Sequence, residues 1–171
     1  MKIVQQGDPV LRGIAKEVPI REITSKEIQK VLSDMKKALH ATKDGVAIAA
    51  PQIGIPLSIF VVAGKVFDIQ EGIYDESKKV MNEDQVYINP VVTKLSRNKE
   101  VMEEGCLSVR NIYGKIKRSK KATVEAYDEN GKKFCRGASG LLAQVFQHET
   151  DHLKGILFVD SAFDLQEITR E

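Results

Sequence analysis

Two histidines and a glutamate able to bind a metal or move a proton fall within five residues at His148-Glu149-Thr150-Asp151-His152. Two histidines four apart lie one above the other if the stretch is helical. Both imidazoles can then reach one metal ion, with Glu149 beside them. The flanking residues support a helix: Leu141, Val145, His148 and His152 make one row, and Leu142, Phe146, Glu149 and Leu153 the adjoining one. Histidines and glutamate thus continue an apolar stripe. Gln144, Gln147, Thr150, Asp151 and Lys154 take the other side, as in an amphipathic helix whose inward face carries the chemistry. The plainer alternative is a solvated helix end. The apolar stripe weighs against it, since burying such groups without partners is costly.

A catalytic zinc-type site has three protein ligands and one open position. Phe158 stands six residues after His152 and excludes the longer pattern with a third histidine there. His40 reads as a surface residue near the negative end of a helix. Asp160, Asp164 and Glu167 stay open as downstream carboxylates, although little chain remains to deliver them. Cysteine is the better candidate. Cys106 follows Gly105 in the loop-like run Glu103-Glu104-Gly105-Cys106-Leu107-Ser108, whereas Cys135, beside Phe134 in a strand pattern, reads as a core residue.

The elements that must position these groups are legible in outline. The chain to Pro19 is punctuated by Gly7, Pro9, Gly13 and Pro19 and reads as extended or irregular. A capping-box pattern at Thr24 and Glu27 opens a helix over 25–42, with Ile28, Val31, Leu32, Met35 and Leu39 on one face. Residues 45–52 are small and end in Gln52, which fits either close approach of another backbone or tight internal packing. A strand is predicted over 57–63, a charged irregular surface excursion over 64–85, and two short strands or one interrupted edge strand at 86–89 and 91–95 around Pro90. Alternating strands follow at 112–117 and 121–127. Asp128-Glu129-Asn130-Gly131 turns the second into a hairpin with 132–136. The metal-binding pattern fits a helix over 138–153 with Gly155 placed to end it, followed by a short strand at 156–159 and an acidic tail.

With 171 residues, 42% of them hydrophobic, one domain over 1–171 can bury a core without staples. A formal charge of +2 is too mild to argue for nucleic acid. The basic cluster Lys115, Lys117, Arg118, Lys120 and Lys121 lacks interleaved aromatics and reads as a solvated strand end rather than an RNA contact. Two cysteines do not make a disulfide framework, and a thiolate ligand requires a reducing compartment. No apolar run is long enough to cross a bilayer, and no signal core is present, so a cytoplasmic setting is expected.

In order and spacing, residues 45–52, 104–108 and 147–155 resemble the three motifs of peptide deformylases, and Asp8-Pro9-Val10-Leu11-Arg12 is similar to the family's opening. The resemblance implies an α+β fold of small antiparallel sheets packed around a central metal-binding helix. It implies one divalent metal per chain, held by Cys106, His148 and His152 with a water. Ferrous iron is characteristic, and zinc, nickel or cobalt can occupy such a site. It further implies hydrolytic removal of the formyl group from nascent peptides beginning with formylmethionine. Glu149 would shuttle the proton, the Gln52 amide and Leu107 N–H would face the developing oxyanion, and Gly45, Val46, Ala47 and Gly105 would border the substrate.

Two positions depart from the family pattern, Ala47 for a second glycine and Arg110 for a proline. The chain closes after Glu171 on a short acidic tail rather than the long C-terminal helix of some members, which bears on transient ribosome association. A peptidase or other amide hydrolase, or a metal-containing binding protein without turnover, are the alternatives. Structural zinc is normally closed by four protein ligands, and three are found here.

Overall fold

The computed structural model describes residues 2–168. A five-stranded antiparallel sheet runs in the order β1-β2-β3-β6-β7, formed by Ala47–Ala49 (β1), Ile59–Val62 (β2), Gln85–Leu95 (β3), Lys121–Tyr127 (β6) and Lys133–Ser139 (β7). A three-stranded sheet joins Lys99–Cys106 (β4), Val109–Ser119 (β5) and Phe163–Glu167 (β8), in that order. With helices Lys26–His40 (α1), Gly64–Gln70 (α2) and Gly140–Leu153 (α3), this is the α+β architecture expected.

Both faces of the larger sheet are covered, so β2 reads as an unbroken apolar run. Ile59 and Val61 point into one core with Ile28, Leu32, Met35 and Leu39 of α1. Phe60 and Val62 point into the other, with Leu142, Val145 and Phe146 of α3. On that second face Phe60 stacks on Tyr87 at 4.6 Å between ring centroids. Helix α1 starts on Ser25, whose hydroxyl accepts from the Ile28 N–H at 3.3 Å, one residue past the predicted cap.

The excursion over 64–85 is not wholly irregular. Its first seven residues are α2, whose Val66 and Phe67 are buried, and buried Asp68 accepts from the backbone N–H groups of Met81 and Asn82 at 2.8 and 2.9 Å. Charge alone does not reveal this, because one carboxylate caps a loop that returns beside it. Around Pro90 the chain forms one interrupted strand, as one of the two readings has it, but β3 is central in the sheet and not an edge. A register shift between Ile88 and Val91, with Asn89 at φ 51°, carries the strand past the missing donor.

Residues 103–106, read as loop-like near the cysteine, lie in strand β4, which pairs with β5 over its whole length. The predicted strand at 156–159 is instead a 3-10 turn over Phe158–Asp160, where the Asp160 carboxylate accepts from the Leu157 N–H at 3.0 Å. The last strand comes later, as β8 on the edge of β5. Cys135 is exposed on edge strand β7 and is not a core residue.

Candidate metal and catalytic site

Helix α3 lies between the two sheets, and the site sits where it meets the β4–β5 hairpin. Its apolar row packs on the larger sheet, but the opposite row is not solvated as amphipathicity predicts. Gln147 is buried, accepting from the Ser119 N–H and donating to the Ser119 carbonyl, both at 2.9 Å. Thr150 is buried as well, its hydroxyl donating to the Phe146 carbonyl at 2.7 Å. A helix held between two sheets needs polar residues that can satisfy backbone groups on the second one.

Cys106, His148 and His152 converge. Their ligand atoms lie within 4.8 Å of one another, with Cys106 Sγ 3.2 Å from His152 Nε2 and the two Nε2 atoms 3.1 Å apart. Among the described residues this is the group of three or more such side chains close enough to share an ion. One thiolate and two imidazoles suit a first-row transition ion, and three protein ligands leave a position open. The donors therefore fit a bound divalent metal. His40 stands apart, exposed and 2.6 Å from Asp84.

Glu104 holds His148 from behind, with Oε1 2.6 Å from Nδ1. This fixes the ring so that Nε2 faces the other ligands. Arg118 clamps Glu104 through Nε and Nη2 at 3.1 and 2.5 Å, and its Nη1 reaches Asp151 at 2.6 Å. Arg118 is 8% exposed and so does not belong to a solvated strand end. Burial alone would raise Glu104, but the hydrogen bonds and charges of His148 and Arg118 bring it down to about 2. The motif stretches contain Glu104 and Asp151 but give neither this role, and Arg118 lies outside them. Glu104 could have been found by strand periodicity, which sets residues 104 and 106 on one face.

Glu149 has no such support. It is 3% exposed, its Oε2 has no hydrogen-bond partner, and burial pushes it up to about 7. The Gln52 side chain is held at three points. Oε1 accepts from the Ala49 N–H at 2.8 Å, and Nε2 reaches Ser108 Oγ at 3.2 Å and Cys106 Sγ at 3.6 Å. Leu107 and Ser108 form the two-residue turn linking β4 to β5. That turn is tied to the N-terminal arm, since Gln5 Nε2 donates to the Leu107 carbonyl at 3.0 Å and the Gln6 N–H to the Ser108 carbonyl at 2.7 Å.

A cleft of about 270 Å³ opens onto these groups, walled by Val46, Ala47, Gly105, Leu107, Leu141 and Val145. Gly45 also borders it, but its lack of a side chain has an internal cause: a Cβ would stand 2.3 Å from Thr42 Oγ1 and 2.9 Å from Leu39 Cδ1. A Cβ on Gly105 would likewise meet the Tyr113 ring at 2.7 Å. Ala47 is in regular strand pairing opposite Val62, so its methyl needs no unusual backbone. Arg110 is exposed just beyond the hairpin turn.

This geometry has counterparts. The polypeptide deformylase family profile matches residues 1–167. Over 154 residues the chain is 42% identical to peptide deformylase 2 of Clostridium acetobutylicum, covering 90% of this chain and 89% of that one. It is 40% identical over 166 residues to peptide deformylase 1A, chloroplastic/mitochondrial, of Arabidopsis thaliana, 93% of this chain but 60% of that longer protein. The solved peptide deformylase of Synechococcus elongatus in complex with actinonin superposes with a TM-score of 0.79 at 32% identity, covering 96% and 79% of the two chains. The Met-Ala-Ser-bound class I type b enzyme of Acinetobacter baumannii gives 0.81 at 29%, covering 94% and 97%. A matching profile over nearly the whole length, joined to a Cys-His-His cluster beside a buried glutamate, places the chain in the peptide deformylase family.

Proposed function

We propose that the chain, acting as one domain over residues 1–171, removes the N-formyl group from peptides beginning with formylmethionine and releases formate. The observation that carries this is the convergence of Cys106, His148 and His152 beside Glu149, a buried carboxyl with an unsatisfied oxygen. The three ligands would hold one divalent ion, ferrous iron by family resemblance, with zinc, nickel or cobalt as substitutes. Such an ion supplies Lewis acidity, polarising the formyl oxygen and acidifying a water.

The remaining work falls to the chain. Glu149, raised towards neutrality by burial, accepts the attacking water's proton and returns it to the departing amine. The Gln52 amide and the Leu107 N–H face the oxygen on which negative charge develops. For Gln52 this requires its Nε2 to turn from Ser108 and the Cys106 sulfur it reaches here. The backbone of Gly45, Val46 and Ala47 runs at the open edge of the larger sheet, where an extended peptide can add a strand, while Gly105 and the apolar walls of the cleft receive the first side chain.

Nascent formylated peptides place the enzyme in the cytoplasm, in transient association with ribosomes. No helix of the described residues is long and apolar enough to cross a membrane. The deciding experiment is formate release from formyl-Met-Ala by anaerobically prepared protein, with metal analysis on the same sample. Turnover at about one metal per chain is expected, together with loss of metal in Cys106→Ala. Metal-loaded protein that releases no formate overturns the reading.

A further inference from the structure

The basic residues at the far end of the β4–β5 hairpin are distributed differently from what their order suggests. Arg118 turns inward to Glu104 and Asp151, and Lys115 pairs with Asp164 at 3.2 Å. Folding replaces these two with Arg97 and Lys99 from the preceding turn. A concavity of about 390 Å³ results, lined by Arg97, Asn98, Lys99, Lys117 and Lys120, with no acidic residue in its lining. Glu100 stands 4.0 Å from Lys120, and both side chains are half exposed.

The platform under these charges is fixed. The Ser96 N–H donates to the Lys121 carbonyl, the Lys120 N–H to the Asn98 carbonyl, and the Lys121 N–H to Ser96 Oγ, each at 3.0 Å. The turn between β3 and β4 is thereby stitched to the turn between β5 and β6, so the four cations project from one surface. Lys99 is seven residues from Cys106 along β4, about 23 Å at ~3.3 Å per residue.

We infer that this concavity docks the phosphate backbone of structured RNA. Four cations on a rigid concave surface match a polyanion, and backbone phosphates are bound without sequence reading. The lining contains no aromatic ring on which an unpaired base could stack, which favours a helical RNA over a single strand. All five lining residues are polar, with exposed Leu95 and Val101 outside the lining, so the vesicle arm of the test separates RNA from a membrane surface. The biological sense of the patch rests on the proposed function: an enzyme of nascent chains meets its substrate beside ribosomal RNA, and the strands that carry Cys106 carry the patch.

The test uses the full, metal-loaded protein and a labelled 20-base-pair RNA duplex, followed by fluorescence anisotropy at several salt concentrations. With about four phosphate contacts, affinity falls roughly 100-fold between 50 and 200 mM salt. The variant carrying Arg97→Gln, Lys99→Gln, Lys117→Gln and Lys120→Gln is expected to bind at least about tenfold more weakly at 50 mM with a nearly flat salt dependence. A control with Lys26→Gln, Lys37→Gln, Lys79→Gln and Lys132→Gln changes net charge equally and is expected to stay within about threefold of the parent. Equal losses in both variants, or parent protein that binds phosphatidylserine vesicles but not RNA, overturn the inference. Formate release is measured alongside and is expected to be unchanged in both variants. Patch-dependent RNA binding without formate release overturns the enzymatic reading alone, and formate release without RNA binding overturns the patch alone.

Discussion

Glu104 and Glu149 flank His148, both are more than nine-tenths buried, and their surroundings treat them in opposite ways. On the hairpin side Glu104 accepts from Arg118, Gln144 and His148, and is held at about 2 despite its burial. On the α3 row that also carries Leu142 and Phe146, Glu149 keeps an unpartnered oxygen and rises to about 7. The difference separates orientation from chemistry. A carboxylate locked in its charged form can aim a ligand but takes up protons poorly. One left without partners is poised to exchange a proton near neutrality.

The largest effect that would break this comparison comes from Glu149. Glu149→Ala is expected to lower kcat on formyl-Met-Ala by about 10²–10⁴-fold, the range for a lost general acid–base, while the metal stays at about one per chain. Near-native turnover would refute its role in proton transfer. The braced side should respond in the reverse manner. Arg118→Met strands Glu104 and Asp151 as buried or half-buried anions. Breaking a buried pair in this way costs about 3–5 kcal/mol, and loosening His148 is expected to weaken metal binding about 10–100-fold. Thermal unfolding and chelator competition read the two losses. Adding Glu104→Gln should restore part of the stability, and no restoration would show that Arg118 acts through something other than this carboxylate.

A smaller effect is expected at Ala47, whose methyl lies on the cleft wall in place of the family's second glycine. Ala47→Gly is expected to change kcat/KM on a formyl-Met peptide by roughly 10-fold, about the worth of one methyl group in a pocket. The added chain freedom in β1 should cost about 0.5–1 kcal/mol. An unchanged kcat/KM would mean that the methyl does not touch the bound peptide.

These contrasts were legible in the sequence to different degrees. The spacing of His148, Glu149 and His152 within an apolar stripe sufficed for the helix and for one wall of the site, because helical periodicity is local. Cys106 needed an argument by exclusion. Glu104 and Arg118 are fourteen residues apart and meet only because β4 and β5 pair, with Glu100 opposite Arg118 and Glu104 opposite Gly114. That register depends on β4, whose last residues, 103–106, read as loop-like beside Gly105. Gln147 and Thr150 were assigned to solvent for a related reason: periodicity separates polar from apolar faces but is silent on a second sheet covering the polar one. Ser108 closes the motif stretch 104–108 without revealing that it holds Gln52, and Gln5, which holds the Leu107 carbonyl, lies outside every motif.

A third buried carboxylate, remote from the site, sharpens the comparison. Asp68 is 1% exposed and has no cation among its hydrogen-bond partners, which are the Met81 and Asn82 N–H groups and the Asn82 side-chain amide at 2.7 Å. Burial would raise it, but these donors outweigh burial and set it below its ordinary 3.8. A group depressed in the folded state stabilises fully above its unfolded value and loses that contribution as pH falls through the folded one. Asp68→Asn is therefore expected to be less resistant to urea than the parent at pH 6, with the gap narrowing towards pH 3, and to expose residues 71–81 to proteolysis at the higher pH. A gap as wide at pH 3 as at pH 6 would show that Asp68 contributes as a neutral acceptor. Backbone donors would then be insufficient to hold a buried carboxylate ionised, and the low value at Glu104 would fall to its cations alone.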